Sequence, residues 1–168
     1  MSHPLVLALF NQPSAAAEAA RGLRGLGIPA TRVSIVARNH DEEGVLARAA
    51  DASPGSEIED SARASHAGEL AAHLVAAIAL VMPGIGPIVA DGPLAAGLGE
   101  AAGHMAGGIA RTLDGAGLDR ADAERWESRI EQGAILVGAH VGADDVAPAR
   151  DVMARCGAGE IVEARWRD

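Results

Sequence analysis

Five side chains of the kinds that bind metals lie in the Ala- and Gly-rich middle of the chain: His66, Glu69, His73, Glu100 and His104. The first three are spaced i, i+3 and i+7, which places them within roughly 60° of one another on a helix. Glu100 and His104 are four residues apart and also share a helix face. Imidazole and carboxylate groups bind Zn and Fe. If the two helices fold into a hairpin, these five side chains are predicted to form a metal site.

The burial of Glu100 decides between this site and a simpler interpretation. Its neighbours are Ala, Gly and Leu, and a carboxylate buried among them is costly unless it is protonated, paired or bound to metal. However, the order His-x-x-Glu reverses the Glu-x-x-His of di-iron bundles. A Glu and a His four apart also commonly form exposed pairs on ordinary helices. Metal binding is therefore an alternative hypothesis.

Three glycines form a stripe in the same region. Gly99, Gly103 and Gly107 are four apart, after Pro93 begins a helix. Such a stripe lets another backbone approach closely. Each mid-helix glycine costs about 0.5–1 kcal/mol relative to alanine, so close contact should offset the loss. The stripe predicts a tight helical hairpin or a homo-oligomer joined through helices.

Residues 70–90 carry no formal charge, which raises the question of a membrane span. The run contains His73 and is broken by the Pro-Gly-Ile-Gly-Pro segment at 83–87. We therefore expect a buried helix of about a dozen residues before the break, because that length is too short to cross a bilayer. Membrane association through this run is a second alternative.

The elements that must position these residues are clearest at the two ends of the chain. Residues 4–10 and 33–37 read as strands, with a helix between them that has Ser14 as its N-cap and ends near Leu26. Residues 134–141 and 160–166 read as two further strands. Asp144 and Asp145 are expected to cap the helix between them. Each end is therefore a β-α-β unit.

Two such units in one sheet form a ferredoxin-like α+β fold, β-α-β-β-α-β. Residues 1–168 are then a single domain, in which 4–37 and 134–166 supply the sheet and 38–133 form a mainly helical insertion between the second and third strands. Asp119 is expected to cap the insertion's last helix, with Ala123, Trp126 and Ile130 on its inner face and Gly133 just past its end.

The strand at 4–10 is apolar on both alternating faces, so the sheet should be covered on both sides. The two helices of a ferredoxin-like fold cover one face. The insertion, or the sheet of a partner chain, is expected to cover the other.

Composition excludes several functions. The chain has 168 residues and a formal charge of -9, and its basic residues are all arginine, which excludes lysine Schiff bases and Walker-type phosphate lysines. Aromatic residues make up 2%, too few for base stacking, so nucleic acid is not an expected partner. One cysteine, and a start without the positive region of a secretory signal, predict a cytoplasmic protein.

The remaining chemical motifs are weak. The stretch 97–102 matches Gly-x-Gly-x-x-Ala, but the long strand that a dinucleotide site needs before it is missing. Cys156 is expected to be an inert core thiol. His3 and His40 are expected to be solvated, and His140 half-buried and hydrogen-bonded. No cofactor is predicted beyond the Zn or Fe of the metal alternative.

Three segments resemble the bacterial YflT-type general stress protein family: PGIGPIVA at 83–90 with GPLAA at 92–96, the glycine stripe, and EQGAILV at 131–137. The order of elements is similar to that family over nearly the whole chain. The resemblance implies a role in the general stress response and brings no catalytic residue with it. We therefore expect a non-enzymatic stress-response protein that acts through self-association or a partner.

Overall fold

The computed structural model describes residues 2–38, 78–82, 86–102 and 108–167 of the chain. These residues form an α+β structure with one antiparallel sheet. In chain order its elements are β1 (Ser2–Phe10), α1 (Pro13–Gly25), β2 (Val33–Arg38), β3 (Ile78–Met82), β4 (Gly86–Asp91), α2 (Pro93–Ala102), α3 (Ile109–Gly115), α4 (Arg120–Glu131), β5 (Ile135–His140), α5 (Val146–Arg155) and β6 (Glu160–Arg167). Short 3-10 turns at Ala30–Arg32 and Ala143–Asp145 lead into β2 and α5.

The sheet has six strands in the order β3-β4-β2-β5-β1-β6, and every neighbouring pair is antiparallel. β1 lies between β5 and β6, with Leu5 opposite His140 on one side and Ala164 on the other. Every residue from Leu5 to Phe10 is fully buried. Such burial matches the continuous apolar sequence of this strand.

Both faces of the sheet are covered by helices of the same chain. On one face, Val6, Ala8 and Phe10 join a core with α1 and α5. On the other, Leu5, Leu7 and Leu9 join a core with residues of α2, α3 and α4. The expected cover of the second face is therefore confirmed, and it comes from helices that lie between β2 and β5 in the same chain.

The prediction of a helix before Pro83 is wrong for residues 78–82. Ile78–Met82 is strand β3, and Met82 pairs with Gly86 of β4, so the chain reverses direction between them to form a β-hairpin. A short apolar run fits a buried helix and a strand equally well, and here pairing with β4 decides the outcome. The described part of the chain between β2 and β5 thus contains two strands of the sheet as well as three helices.

The predicted cap is confirmed for α4 and wrong for α1, and for α5 it is right in position but makes no side-chain bond. Asp119 accepts a hydrogen bond from the Ala121 N–H (2.9 Å) at the start of α4, whose buried residues are Ala123, Trp126 and Ile130. α1 instead begins at Pro13 with Gln12 as its N-cap residue, because the fixed φ of proline suits the first position of a helix. Asp145 precedes α5 but makes no side-chain cap bond.

Within the described ranges, none of the helices combines the length and the apolar character needed to cross a bilayer.

Candidate functional site

Two histidines meet at one end of the sheet. His3 lies near the start of β1 and opposite Trp166 of β6, and His140 is the last residue of β5. Because side chains alternate along a strand, His3 lies on the face of Leu5, and His140 on the face of Leu136. Both belong to the side of the sheet that α2, α3 and α4 cover.

The two imidazoles are hydrogen-bonded to each other. Nε2 of His3 lies 2.8 Å from Nδ1 of His140. The two imidazole centroids are 5.0 Å apart, and Trp166 makes a T-shaped contact with His140, with ring centroids 5.0 Å apart and an interplanar angle of 75°. His140 is 4% exposed. One nitrogen of the pair must donate and the other accept, so the bond requires complementary tautomers.

The expectation that His3 is solvated is therefore wrong. Its ring is partly buried and contacts His140, which is hydrogen-bonded as expected but more deeply buried than half. The alternating pattern of β1 could have indicated the burial of His3, because His3 lies on the same face of the strand as Leu5, Leu7 and Leu9. The antiparallel pairing of β1 with β5, which brings the rings together, is not visible in either strand alone.

Two side chains attach the helices that cover this face. The Ser34 hydroxyl on β2 accepts a hydrogen bond from the Leu94 N–H (3.1 Å) at the start of α2, and Ser34 is fully buried. The Glu127 carboxylate on α4 accepts one from the Ala110 N–H (2.7 Å) in the first turn of α3. Each bond satisfies an N–H that the helix itself cannot pair. We infer that these two polar groups orient the helices.

Two open cavities lie near these elements. One, of about 730 Å³, lies beside the paired ends of β1 and β6 and is lined by Pro4, Leu5, Gly117, Ala143, Val146, Glu163, Ala164 and Arg165. The other, of about 640 Å³, is lined by Gly108, Ala110, Arg111, Asp114, Arg120, Glu124 and Glu127. The Glu163–Arg150 (3.1 Å) and Arg120–Glu124 (3.1 Å) ion pairs at these cavities are exposed, so they contribute little stability.

Most residues of the sequence-predicted metal site lie outside the described residues: His66, Glu69, His73 and His104. Glu100 lies on α2, where its backbone alone is described. Within the described ranges, no group of three or more His, Cys, Asp or Glu side chains could hold a metal ion. The predicted Zn or Fe site therefore stays a prediction.

The glycine stripe is described only at Gly99, which lies on α2, while Gly103 and Gly107 lie outside the described residues. A different glycine, Gly97, makes a close helix contact: a Cβ placed there would lie 3.1 Å from Cγ2 of Thr112 on α3. Sequence reasoning missed Gly97 as a packing residue, because a spacing of four selects 99, 103 and 107.

Cys156 follows α5 and is half-buried against the core. Burial raises the pKa of its thiol, and the nearby Glu18 carboxylate raises the pKa further. Less thiolate is then present near neutral pH, and the thiolate is the reactive form. We expect iodoacetamide to alkylate Cys156 more slowly than free cysteine at about pH 8, with the difference shrinking as pH rises. Mass spectrometry of timed samples measures both rates, and equal rates at pH 8 would contradict the raised pKa.

The chain matches no protein-family model, no curated protein and no solved structure.

Proposed function

We propose that this chain is a non-enzymatic general stress-response protein that acts through self-association, and that two copies join along strand β3. The observation that carries the proposal is the position of β3. In the described residues it is the terminal strand of the sheet, with β4 as its one strand neighbour, and its sequence IALVM contains no charge. Terminal strands of monomeric proteins usually carry charges or proline that discourage pairing.

The backbone of β3 offers groups for pairing. The Val141 N–H donates to the Pro4 carbonyl oxygen (3.0 Å). This bond shows which residues of β1 direct their backbone N–H and C=O groups toward β5. In antiparallel sheets the direction alternates residue by residue. The residue pairs from β1 across β5, β2 and β4 to β3 then give the direction at each position of β3. The N–H and C=O groups of Leu80 point toward β4. The same groups of Ala79 and Val81 point away from β4.

A second copy of β3 fits this edge in one full-length register. With two antiparallel strands centred on Leu80, Ala79 of one copy lies opposite the partner's Val81. Both residues point their backbone groups across the interface, so each pair exchanges two hydrogen bonds. The sheet then continues from one copy into the other.

The opposite edge, β6, is less suited to pairing. Its sequence EIVEARWR carries a charge at four of its eight positions, and Glu163 and Arg165 are exposed. Gly117 also lies against it: a Cβ there would come within 2.9 Å of the Arg165 carbonyl oxygen and 3.1 Å of its nitrogen. Charges and a covering loop both protect edge strands from association.

The finer description of the fold is part of this proposal. Strands β6-β1-β5-β2, with α1 and α5 on one face, follow the strand order of a ferredoxin-like fold, and the β-hairpin and three helices are its insertion. The stress-response role rests on the family resemblance of the segments at 83–96 and 131–137. The free Cys156 agrees with the cytoplasmic location we propose.

The test is the mass of the protein in solution, measured by light scattering after size exclusion. We expect the unmodified chain to exceed its monomer mass of 17.0 kDa and Val81→Pro to return to it. Proline at 81 removes an N–H that points out of the sheet, so it blocks pairing without breaking a bond to β4. Circular dichroism should be unchanged.

Glu163→Pro is the matched control, because the Glu163 N–H also points out of the sheet but on β6. It should keep the oligomer mass, and loss of the oligomer in this variant alone would place the interface at β6. A monomeric unmodified protein would overturn self-association. Near-stoichiometric Zn or Fe in the same fractions, lost in His73→Ala or His104→Ala, would favour the metal-binding alternative instead.

A further inference from the structure

Strands β3 and β4 have a helix packed against them on one face. α2 contacts both strands, and Ala90 of β4 shares a buried core with Leu94 and Leu98 of α2. On the opposite face of the sheet, α1 and α5 pack against β1, β5 and β6. Within the described ranges, α2 is the one helix with extensive contacts to β3 and β4. The face of these two strands that continues the α1 and α5 side therefore still needs a cover.

This face of β3 and β4 is made of uncharged residues. Val89 of β4 pairs with Ala37 of β2, which belongs to the core of α1 and α5. Because paired residues share a face and neighbours alternate, Pro87 lies on this face with Val89, and so do Ala79 and Val81 of β3. An apolar sheet face is normally buried against another element.

The connection between β2 and β3 runs from one end of the sheet to the other. Both strands are antiparallel to β4, so they run in the same direction. β2 ends at Arg38 and β3 begins at Ile78, at opposite ends of the sheet. The connecting residues 39–77 lie outside the described residues, and they exceed the roughly dozen residues that a crossover between parallel strands needs.

The hand of this connection selects the face that it crosses. β1 and β2 are also parallel, and α1 connects them across the face that it shares with α5. The step from β1 to β2 and the step from β2 to β3 each move two places along the sheet in the same direction. Crossovers between parallel strands are right-handed almost without exception. Two crossovers of one hand and one direction lie on the same face, which here is the face of α1.

We propose that the α1 and α5 face of β3 and β4 is a docking surface for residues 39–77 of the same chain, and that the apolar end of this segment covers Val89 and its neighbours. Apolar residues at the spacing of one helix face occur at this end: Ala67, Leu70, Ala71 and Leu74. The preceding residues 41–60 are strongly acidic and suit contact with water instead. The proposal rests on chain connectivity and does not depend on self-association.

Paramagnetic broadening of amide signals in NMR spectra tests which face is covered. A nitroxide is attached at Ala72→Cys in a Cys156→Ser background, because position 72 lies on the opposite side of a helix from Leu70 and Leu74. We expect signals of α1 to lose more intensity than those of α2, relative to the same sample with the nitroxide reduced. Stronger losses in α2, or no loss in either helix, would overturn the docking.

Two other occupants are distinguished with the same labelled chain. Isotope-enriched chain without a nitroxide is mixed with nitroxide-labelled chain at natural isotope abundance, so only contacts between copies broaden the observed signals. A mixture that reproduced the full effect would assign the docking to a second copy and overturn the proposal. Sedimentation with phosphatidylcholine and phosphatidylglycerol vesicles, without broadening in α1, would assign the apolar end to lipid and overturn it as well.

A double-mutant cycle tests the contact itself. Leu74→Ala and Val89→Ala are compared singly and together by guanidinium unfolding at one protein concentration. We expect the unfolding constant of the double variant to differ at least about three-fold from the product of the single effects, because contacting residues are coupled. Ile88→Ala is the matched control, since Ile88 adjoins Val89 on β4 but lies on the face of α2. No coupling to Val89, or equal coupling to Ile88, would contradict the docking.

Discussion

Replacement of Gly92 by alanine is expected to cost about 2–4 kcal/mol of unfolding free energy, an unusually large effect for one methyl group. Gly92 joins β4 to α2 with a φ of +80°, which L-residues rarely adopt. An added Cβ would lie 2.2 Å from the Val33 carbonyl oxygen and 2.7 Å from the Ser34 Cα. Both atoms are backbone of the buried strand β2, so no side-chain rotation relieves the clash.

The Gly92→Ala substitution should also weaken neighbouring hydrogen bonds, because Gly92 lies where β2 is bonded to the start of α2. Its carbonyl oxygen accepts from the Ala95 N–H (3.0 Å), and the Ser34 hydroxyl accepts from the Leu94 N–H. A shift of β2 away from an added methyl group moves Ser34 away from the start of α2. The helix would then lose a partner for one of its first N–H groups, which costs further stability.

Gly27→Ala separates backbone strain from this clash. Gly27 has a nearly identical φ of +86°, but among the described residues no atom beyond its chain neighbours lies within 4 Å of a Cβ built there. Gly27→Ala should therefore lower the free energy of unfolding only by the cost of the left-handed backbone conformation, about 1–2 kcal/mol. Guanidinium unfolding at one protein concentration measures both variants against the unmodified chain. Equal losses in the two variants would contradict a backbone clash at Gly92.

The elements that could be predicted from the sequence are those whose own hydrophobic pattern matches their burial in the structure. The strand at 4–10 is apolar on both faces, and that single feature correctly implied a cover on each side of the sheet. α4 was recognisable from Asp119 and the inward stripe of Ala123, Trp126 and Ile130, because capping and helical periodicity are local properties. In each case the information lies within one element.

The parts that sequence reasoning missed depend on contacts between distant elements. Ile78–Met82 is a strand because β4 pairs with it, and its five residues alone do not distinguish helix from strand. The His3–His140 bond joins residues at the two ends of the chain and needs the register of β1 against β5. Gly92 shows the same limit, since nothing near it in sequence reveals that Val33 lies against it.

Truncation of Trp126 to alanine is the second large effect that we expect, about 3–5 kcal/mol of unfolding free energy. Trp126 is fully buried and is the largest such side chain in the described residues. It lies on α4 in the core that includes Leu5, Leu7 and Leu9. Since the chain has few aromatic residues, the small neighbours of this core have little volume with which to fill the cavity.

Trp126→Phe tests whether volume or hydrogen bonding accounts for that loss. The indole Nε1 is buried and has no hydrogen-bond partner among the residues that the structure describes. Phenylalanine keeps most of the ring and removes a buried N–H that pays a desolvation penalty, so we expect a loss of about 1–2 kcal/mol. Guanidinium unfolding followed by far-ultraviolet circular dichroism compares the two variants. A Phe variant as unstable as the Ala variant would mean that the indole N–H is satisfied in solution, and that α4 is held by that bond as well as by packing.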